Sequence, residues 1–138
     1  LSNLYTAIIV ATNAHNGQTD KGGNSYILHP LRVMLKMKTD EERIVAVLHD
    51  VIEDTSVTPT MLSELGFPRY IVSAIICLSR YEESYMDFIR RCKQNELARK
   101  VKVADIEDNM DMSRIQNPTE EDFKRIKKYE KAWKELLK

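Results

Sequence analysis

The ten residues Ala46, Val47, Leu48, His49, Asp50, Val51, Ile52, Glu53, Asp54 and Thr55 constrain the fold most, because an apolar run here acquires a histidine and three carboxylates at helical spacing. On a helix turning ~100° per residue, His49, Glu53, Asp50 and Asp54 fall within an arc of roughly 140°, with small Ala46 among them. Ile44, Val45, Leu48, Val51 and Ile52 occupy the other side. Such a helix buries one face and gathers a nitrogen donor and three oxygen donors on the other. Carboxylates this close repel one another unless protons or a cation intervene, so the stretch is either a solvated acidic face or one wall of a divalent-cation site.

The rest of the chain supports a helical setting. Glycine and proline number four each in 138 residues, and no alternating run of β-branched residues stands out. The expected architecture is all-α, a single orthogonal helical bundle over residues 1–138, long enough to bury a core without staples. The 21 basic residues balance the 21 acidic ones, so no bulk field draws the chain to nucleic acid or a membrane. No apolar stretch reaches spanning length, and Cys77 and Cys92 lack metal-ligand spacing. Reduced structural thiols and a cytoplasmic location are expected.

Ser2 is expected to cap a first helix ending at His15-Asn16-Gly17, with His15 in a structural role. A turn-rich segment, residues 18–25, follows as a phosphate-binding loop or a flexible connector. His29 precedes a second helix with Pro30 in its first turn. Thr39 or Asp40 caps a third helix that carries the opening stretch to Thr55. Short helices follow Pro59 and Pro68, and Tyr85, Phe88 and Ile89 stripe a helix whose Arg90, Arg91 and Lys93 read as a solvated face. On the helix after Asn95, Lys102, Asp105 and Asn109 share one side, either as ordinary polar groups of a helix or, as a set facing a metal site, as a phosphate contact, a ligand and a nucleotide contact. In the last helix Phe123, Ile126, Tyr129, Trp133 and Leu136 form a packing stripe that is structural or holds a homodimer together.

His29, His49, Asp50 and Asp105 compose the pattern H…HD…D, which resembles the HD superfamily of metal-dependent phosphohydrolases. The flanking residues sharpen the match. His15-Asn16-Gly17-Gln18, Lys21, Tyr26-Ile27-Leu28-His29-Pro30, the 48–55 run, and Lys102-Val103-Ala104-Asp105 with Asn109 look like the hydrolase domain of the RelA/SpoT alarmone enzymes. The resemblance spans about residues 5–114.

It implies a fold of the HD type, a manganese ion held by His29, His49, Asp50 and Asp105, and catalysis by Glu53 and Asp54. The implied reaction removes the 3′-pyrophosphate from guanosine 3′,5′-bis(diphosphate) or the pentaphosphate. The chain has no room for a synthetase domain, so it is similar to the small hydrolase-only members. The N/O ligand set itself suits several first-row ions, any of which would polarise a phosphoryl oxygen and acidify bound water. Lys21, Lys102, Asn109 and Arg114 are the candidate substrate contacts. Two positions depart from the family pattern: Asp20 stands where an arginine precedes Lys21, and Asp111 stands where an arginine follows Asn109. A carboxylate cannot replace a guanidinium, so two alternatives accompany the alarmone reading. One is hydrolysis of a different nucleotide or of a phosphorylated dinucleotide cofactor, and the other is a nucleotide-sensing binding module without activity.

Overall fold

The computed structural model describes residues 3–138, all of its regular structure helical. The helices are α1 (Leu4–Ala14), α2 (Leu28–Leu35), α3 (Asp40–Val47), α4 (Val51–Asp54), α5 (Pro59–Glu64), α6 (Arg69–Cys77), α7 (Tyr85–Lys93), α8 (Glu96–Asn109) and α9 (Glu120–Leu137). The all-α expectation holds. The one sheet-like contact among the described residues is an isolated bridge between Thr19 and Ser25.

Side-chain caps set most of the starts. Asn3 accepts from the Thr6 backbone N–H and caps α1, while the expected cap Ser2 lies outside the described residues. Thr39 and Glu42 close a reciprocal capping box on α3, as Thr119 and Asp122 do on α9. Thr58, Ser84 and Asn95 cap α5, α7 and α8 through their side-chain oxygens.

α3 is the central element, packed against α1, α2, α6 and α8. Its Val45, Ala46 and Val47, with Leu48 just beyond, are fully buried, which secures the direction in which the next residue, His49, points. The expected continuous helix through Thr55 is broken over residues 48–50. The cause is local: the Ala46 carbonyl accepts from His49 Nδ1 at 2.6 Å and from the His49 backbone N–H at 3.3 Å. Val51 N–H likewise reaches back only three residues, to the Leu48 carbonyl. The side chain takes an acceptor that a continuing α-helix would need, and the backbone tightens into three-residue turns.

Two further expectations change. His29 sits inside the first turn of α2, which starts at Leu28, two residues earlier than Pro30 implied. Arg91 is not solvated: it donates to the Cys77 and Ser79 carbonyls and pairs with Glu83 at 2.8 Å, tying α7 to the end of α6. α9 folds back on α7 and α8, burying Ala132 and Leu136. Phe123, expected in its packing stripe, is 55% exposed.

Candidate metal centre and its cavities

Three segments bring four candidate donor side chains together, three of which lie within reach of one ion. His29 comes from α2, His49 and Asp50 from the break between α3 and α4, and Asp105 from the middle of α8. Asp105 Oδ1 lies 2.8 Å from His29 Nε2 and 3.3 Å from His49 Nε2. Asp50 Oδ2 lies 3.0 Å from His49 Nε2 and 3.8 Å from His29 Nε2. The donor atoms of His29, His49 and Asp105 all fall within 4.8 Å of one another, close enough to share one ion. These three residues are buried, His49 to 1% exposure.

Both imidazoles are oriented through their far nitrogens. His49 Nδ1 donates to the Ala46 carbonyl, and His29 Nδ1 lies 2.6 Å from Asp108 Oδ2, which leaves both Nε2 atoms for the centre. Burial opposes charge on either ring, yet the carboxylates win and both histidines titrate above their ordinary value. Burial also opposes ionisation of Asp105, but Lys102 and the two histidines hold it well below the carboxylate range. Two imidazoles and two carboxylates fit a divalent first-row ion.

Several supporting residues were not singled out in the sequence. Asp108 bonds His29 and takes Arg32 Nε and Nη2 at 2.8 and 3.0 Å, so the carboxylate that orients the histidine is itself clamped. Its signal was readable: it follows Asp105 by three residues, and Arg32 follows His29 by three, so both belong to the same facing sides of α8 and α2. The Tyr26 hydroxyl donates to Asp50 Oδ2. Burial and then Asp50 push the Tyr26 pKa up, which keeps it a donor.

The candidate substrate residues divide. Lys102 Nζ is 2.8 Å from Asp105 Oδ2, and Asn109 Nδ2 is 3.2 Å from Asp105 Oδ1, so both brace Asp105. Lys21 and Arg114 line a cavity of about 330 Å³ beside His29, together with Asp20, Asp111 and Arg125. A second cavity of about 230 Å³ is lined by Asp50, Glu53, Asp54, Lys102 and Asp105. Tyr26, Asn109 and Tyr129 line both. α9 therefore contributes Arg125, Lys128 and Tyr129 to the cavities and is more than a packing element.

Glu53 and Asp54 differ. Glu53 Oε1 accepts the Arg80 backbone N–H at 2.6 Å, which anchors the segment after α6 to the site. Asp54 keeps its carboxylate free of such a bond among the described residues, and partial desolvation, then Asp50 and Glu53, raise its pKa to about 6. His15 is buried, with Nδ1 2.9 Å from Gln18 Oε1, and Gln18 Nε2 in turn donates to the Asp54 carbonyl.

The two departures are built into turns. Asp20 Oδ1 accepts the backbone N–H groups of Gly22 and Asn24, both at 2.9 Å, which orders the 18–25 segment. Asp111 accepts the Ser113 N–H and pairs with Arg114. Gly22 lets this loop press against the turn after α8: a Cβ there would lie 2.5 Å from the Arg114 carbonyl oxygen. Gly22→Ala should therefore push the loop off that turn, raising KM for a ligand of the larger cavity about tenfold while leaving metal affinity within about twofold, as titration and steady-state kinetics would show.

No protein-family model matches the chain. Sequence relatives include the bifunctional (p)ppGpp synthase/hydrolase SpoT of Escherichia coli, 37% identical over 87 residues, which cover 60% of this chain and 12% of the relative. A guanosine-3′,5′-bis(diphosphate) 3′-pyrophosphohydrolase of Vibrio cholerae is 34% identical over 110 residues, 76% of this chain and 15% of the relative. A GTP pyrophosphokinase of Myxococcus xanthus is 35% identical over 111 residues, covering 76% and 14%. Among solved structures, one described as a metazoan ortholog of SpoT that hydrolyses ppGpp superposes with a TM-score of 0.77 at 20% identity, covering 98% of this chain and 85% of that one.

The fold and the clustered H…HD…D residues define an HD-type helical domain. More narrowly, its sequence is similar to one segment of enzymes of the RelA/SpoT type. It spans roughly an eighth of the length of the curated relatives it matches.

Proposed function

We propose that this chain is a metal-dependent hydrolase that removes the 3′-pyrophosphate from guanosine 3′,5′-bis(diphosphate) or its pentaphosphate, with manganese as the ion. The observation that carries the reading is the clustering of His29, His49 and Asp105 within reach of one ion, with Asp50 against both imidazoles and with Asp50 and Asp105 lining a cavity that also holds Glu53 and Asp54. The hydrolase names of the relatives support it.

A divalent ion in this ligand set would supply Lewis-acid polarisation of a phosphoryl oxygen and a water of lowered pKa. The protein's own groups do the rest. His29, His49, Asp50 and Asp105 hold the ion, with Tyr26 fixing Asp50 and with Lys102 and Asn109 fixing Asp105. Asp54, which lines this cavity and whose carboxylate accepts no hydrogen bond among the described residues, takes the proton of the attacking water. Glu53, held by the Arg80 N–H, keeps that rim of the cavity in place and orients the water. Lys21 and Arg114 meet the nucleotide in the larger cavity. Free Cys77 and Cys92 accord with a reducing compartment such as the cytoplasm.

Asp20 and Asp111 favour a second reading of the substrate. Both face the larger cavity, and a guanidinium at neither position is available to a base or phosphate. A phosphorylated dinucleotide cofactor or another nucleotide is the competitor. Purified chain with manganese and a nucleotide panel, followed for pyrophosphate and orthophosphate, decides between them. Pyrophosphate release from the guanosine alarmone in preference to the others is the expected result. Tight binding of nucleotide without turnover under any divalent ion would overturn the enzyme reading in favour of a binding module.

A further inference from the structure

The smaller cavity has an acidic wall, formed by Asp50, Glu53, Asp54 and Asp105, and a basic one. Two of its cations are already engaged. Lys102 is paired with Asp105, and the Arg80 guanidinium donates to the Glu83 carbonyl at 3.2 and 3.1 Å. Lys128 is different: among the described residues no carboxylate comes within ion-pair distance of its ammonium, which lies 4.4 Å above the Tyr85 ring and 5.5 Å from that of Tyr129. A ring face attracts an ammonium but does not neutralise it. Desolvation, then the nearby Arg80, Arg125, Lys102 and Lys21, pull its pKa down, as expected for a cation crowded by cations and short of an anion.

The Tyr85 ring under that ammonium carries a hydroxyl that is buried without a hydrogen-bond partner among the described residues. Burial pushes its pKa up to about 12, so at neutral pH it is a donor lacking an acceptor. A buried orphan donor calls for an explanation. Its residue lines the same cavity as an unpaired cation and two side chains of the metal centre.

We infer that Lys128 and Tyr85 form a subsite for the outer phosphoryl group of a substrate diphosphate, so that the chain selects a pyrophosphoryl group over a single phosphoryl group. The inference rests on the hydrolase reading. An anionic oxygen seated there pairs with the Lys128 ammonium and, as that side chain moves off the ring to meet it, gives the Tyr85 hydroxyl its acceptor. In the reaction, water oxygen bonds to the inner phosphorus, the bond from that phosphorus to the nucleoside oxygen breaks, and the nucleoside oxygen takes a proton. The subsite holds the phosphoryl group that leaves with the inner one as pyrophosphate.

The test compares wild-type chain with Lys128→Met, Lys128→Arg and Tyr85→Phe, manganese-loaded, on guanosine nucleotides bearing a 3′-diphosphate or a 3′-monophosphate. Lys128→Met should raise KM for the diphosphate about tenfold or more, with kcat within about threefold, and weaken inhibition by inorganic pyrophosphate by the same factor. Handling of the monophosphate and inhibition by orthophosphate should not change. Lys128→Arg should recover most of the loss, and Tyr85→Phe should show a smaller loss of the same kind. Equal effects on both nucleotides, or none, would overturn the subsite. Wild-type chain that turns over neither nucleotide would defeat the hydrolase reading instead, and calorimetry with inorganic pyrophosphate on the metal-loaded wild type and Lys128→Met would then judge the subsite separately.

Discussion

Asp105→Asn is expected to lose metal-dependent turnover by about a thousandfold or more, since several kcal/mol of charge stabilisation depend on the ion being held. It should also be markedly less stable without metal, although the two side chains have nearly the same size. The reason is the number of cationic and polar donors that one carboxylate satisfies. Oδ1 receives His29, His49 and Asn109, while Oδ2 receives Lys102, whose side chain is only 12% exposed. An amide has one acceptor oxygen and two N–H donors. Whichever way it turns, donors face donors, and either the histidines or the Lys102 ammonium loses its anion. Breaking a buried ion pair from one side costs about 3–5 kcal/mol.

The acid limb of stability should change as well. Asp105 and Asp108 both titrate below the ordinary carboxylate value despite burial. Their contribution is therefore complete above about pH 4 and disappears as pH falls through their lower folded values. Asp105→Asn removes part of that dependence, which melting curves from pH 2 to 7 in chelator would register. Adding Lys102→Met to Asp105→Asn should restore much of the stability and none of the activity. An Asp105→Asn chain that binds manganese and turns over substrate like wild type would remove Asp105 from the site.

What was legible in the sequence follows from what is local. Helix periodicity and caps located α1, α3 and α5 to α9 because those signals lie within a few residues of each other. The H…HD…D set could be proposed because the resemblance supplied its members and their order, although they come from three separate segments. The break at residues 48–50 was not, because it depends on the His49 ring taking the Ala46 carbonyl, a choice that periodicity does not encode. The partners of Tyr26 and Asp108 and the cavity-lining role of α9 were not evident for a related reason. Each acts across a long stretch of chain: Tyr26 on Asp50, Asp108 on His29, and Lys128 over Tyr85. Asp20 and Asp111 read as lost guanidinium groups, and only the structure adds what their carboxylates do, which is to cap backbone N–H groups in two turns.

Asp54 and Glu53 are adjacent in sequence but separable by experiment. Asp54→Asn should lower kcat by about 10²- to 10⁴-fold, the usual contribution of a positioned proton-transfer group. Glu53→Gln keeps a side-chain oxygen for the Arg80 N–H and should lose much less, within about tenfold. Stability supplies a second readout with a definite sign. The folded-state pKa of Asp54 is raised from 3.8 to about 6, so the unfolded chain ionises first and stability falls as pH rises between those values. Above about pH 6 the penalty is complete, and Asp54→Asn removes it. In chelator the variant should therefore melt higher than wild type at pH 7, with the gap closing below about pH 4. With metal bound, a cation beside the carboxylates reverses the local field, and the advantage should shrink or vanish. A gain in stability coupled to a loss of turnover marks a group held in an unfavourable charge state for the sake of chemistry. Should Asp54→Asn keep its activity while Glu53→Gln loses it, the proton passes through Glu53 and the two roles exchange.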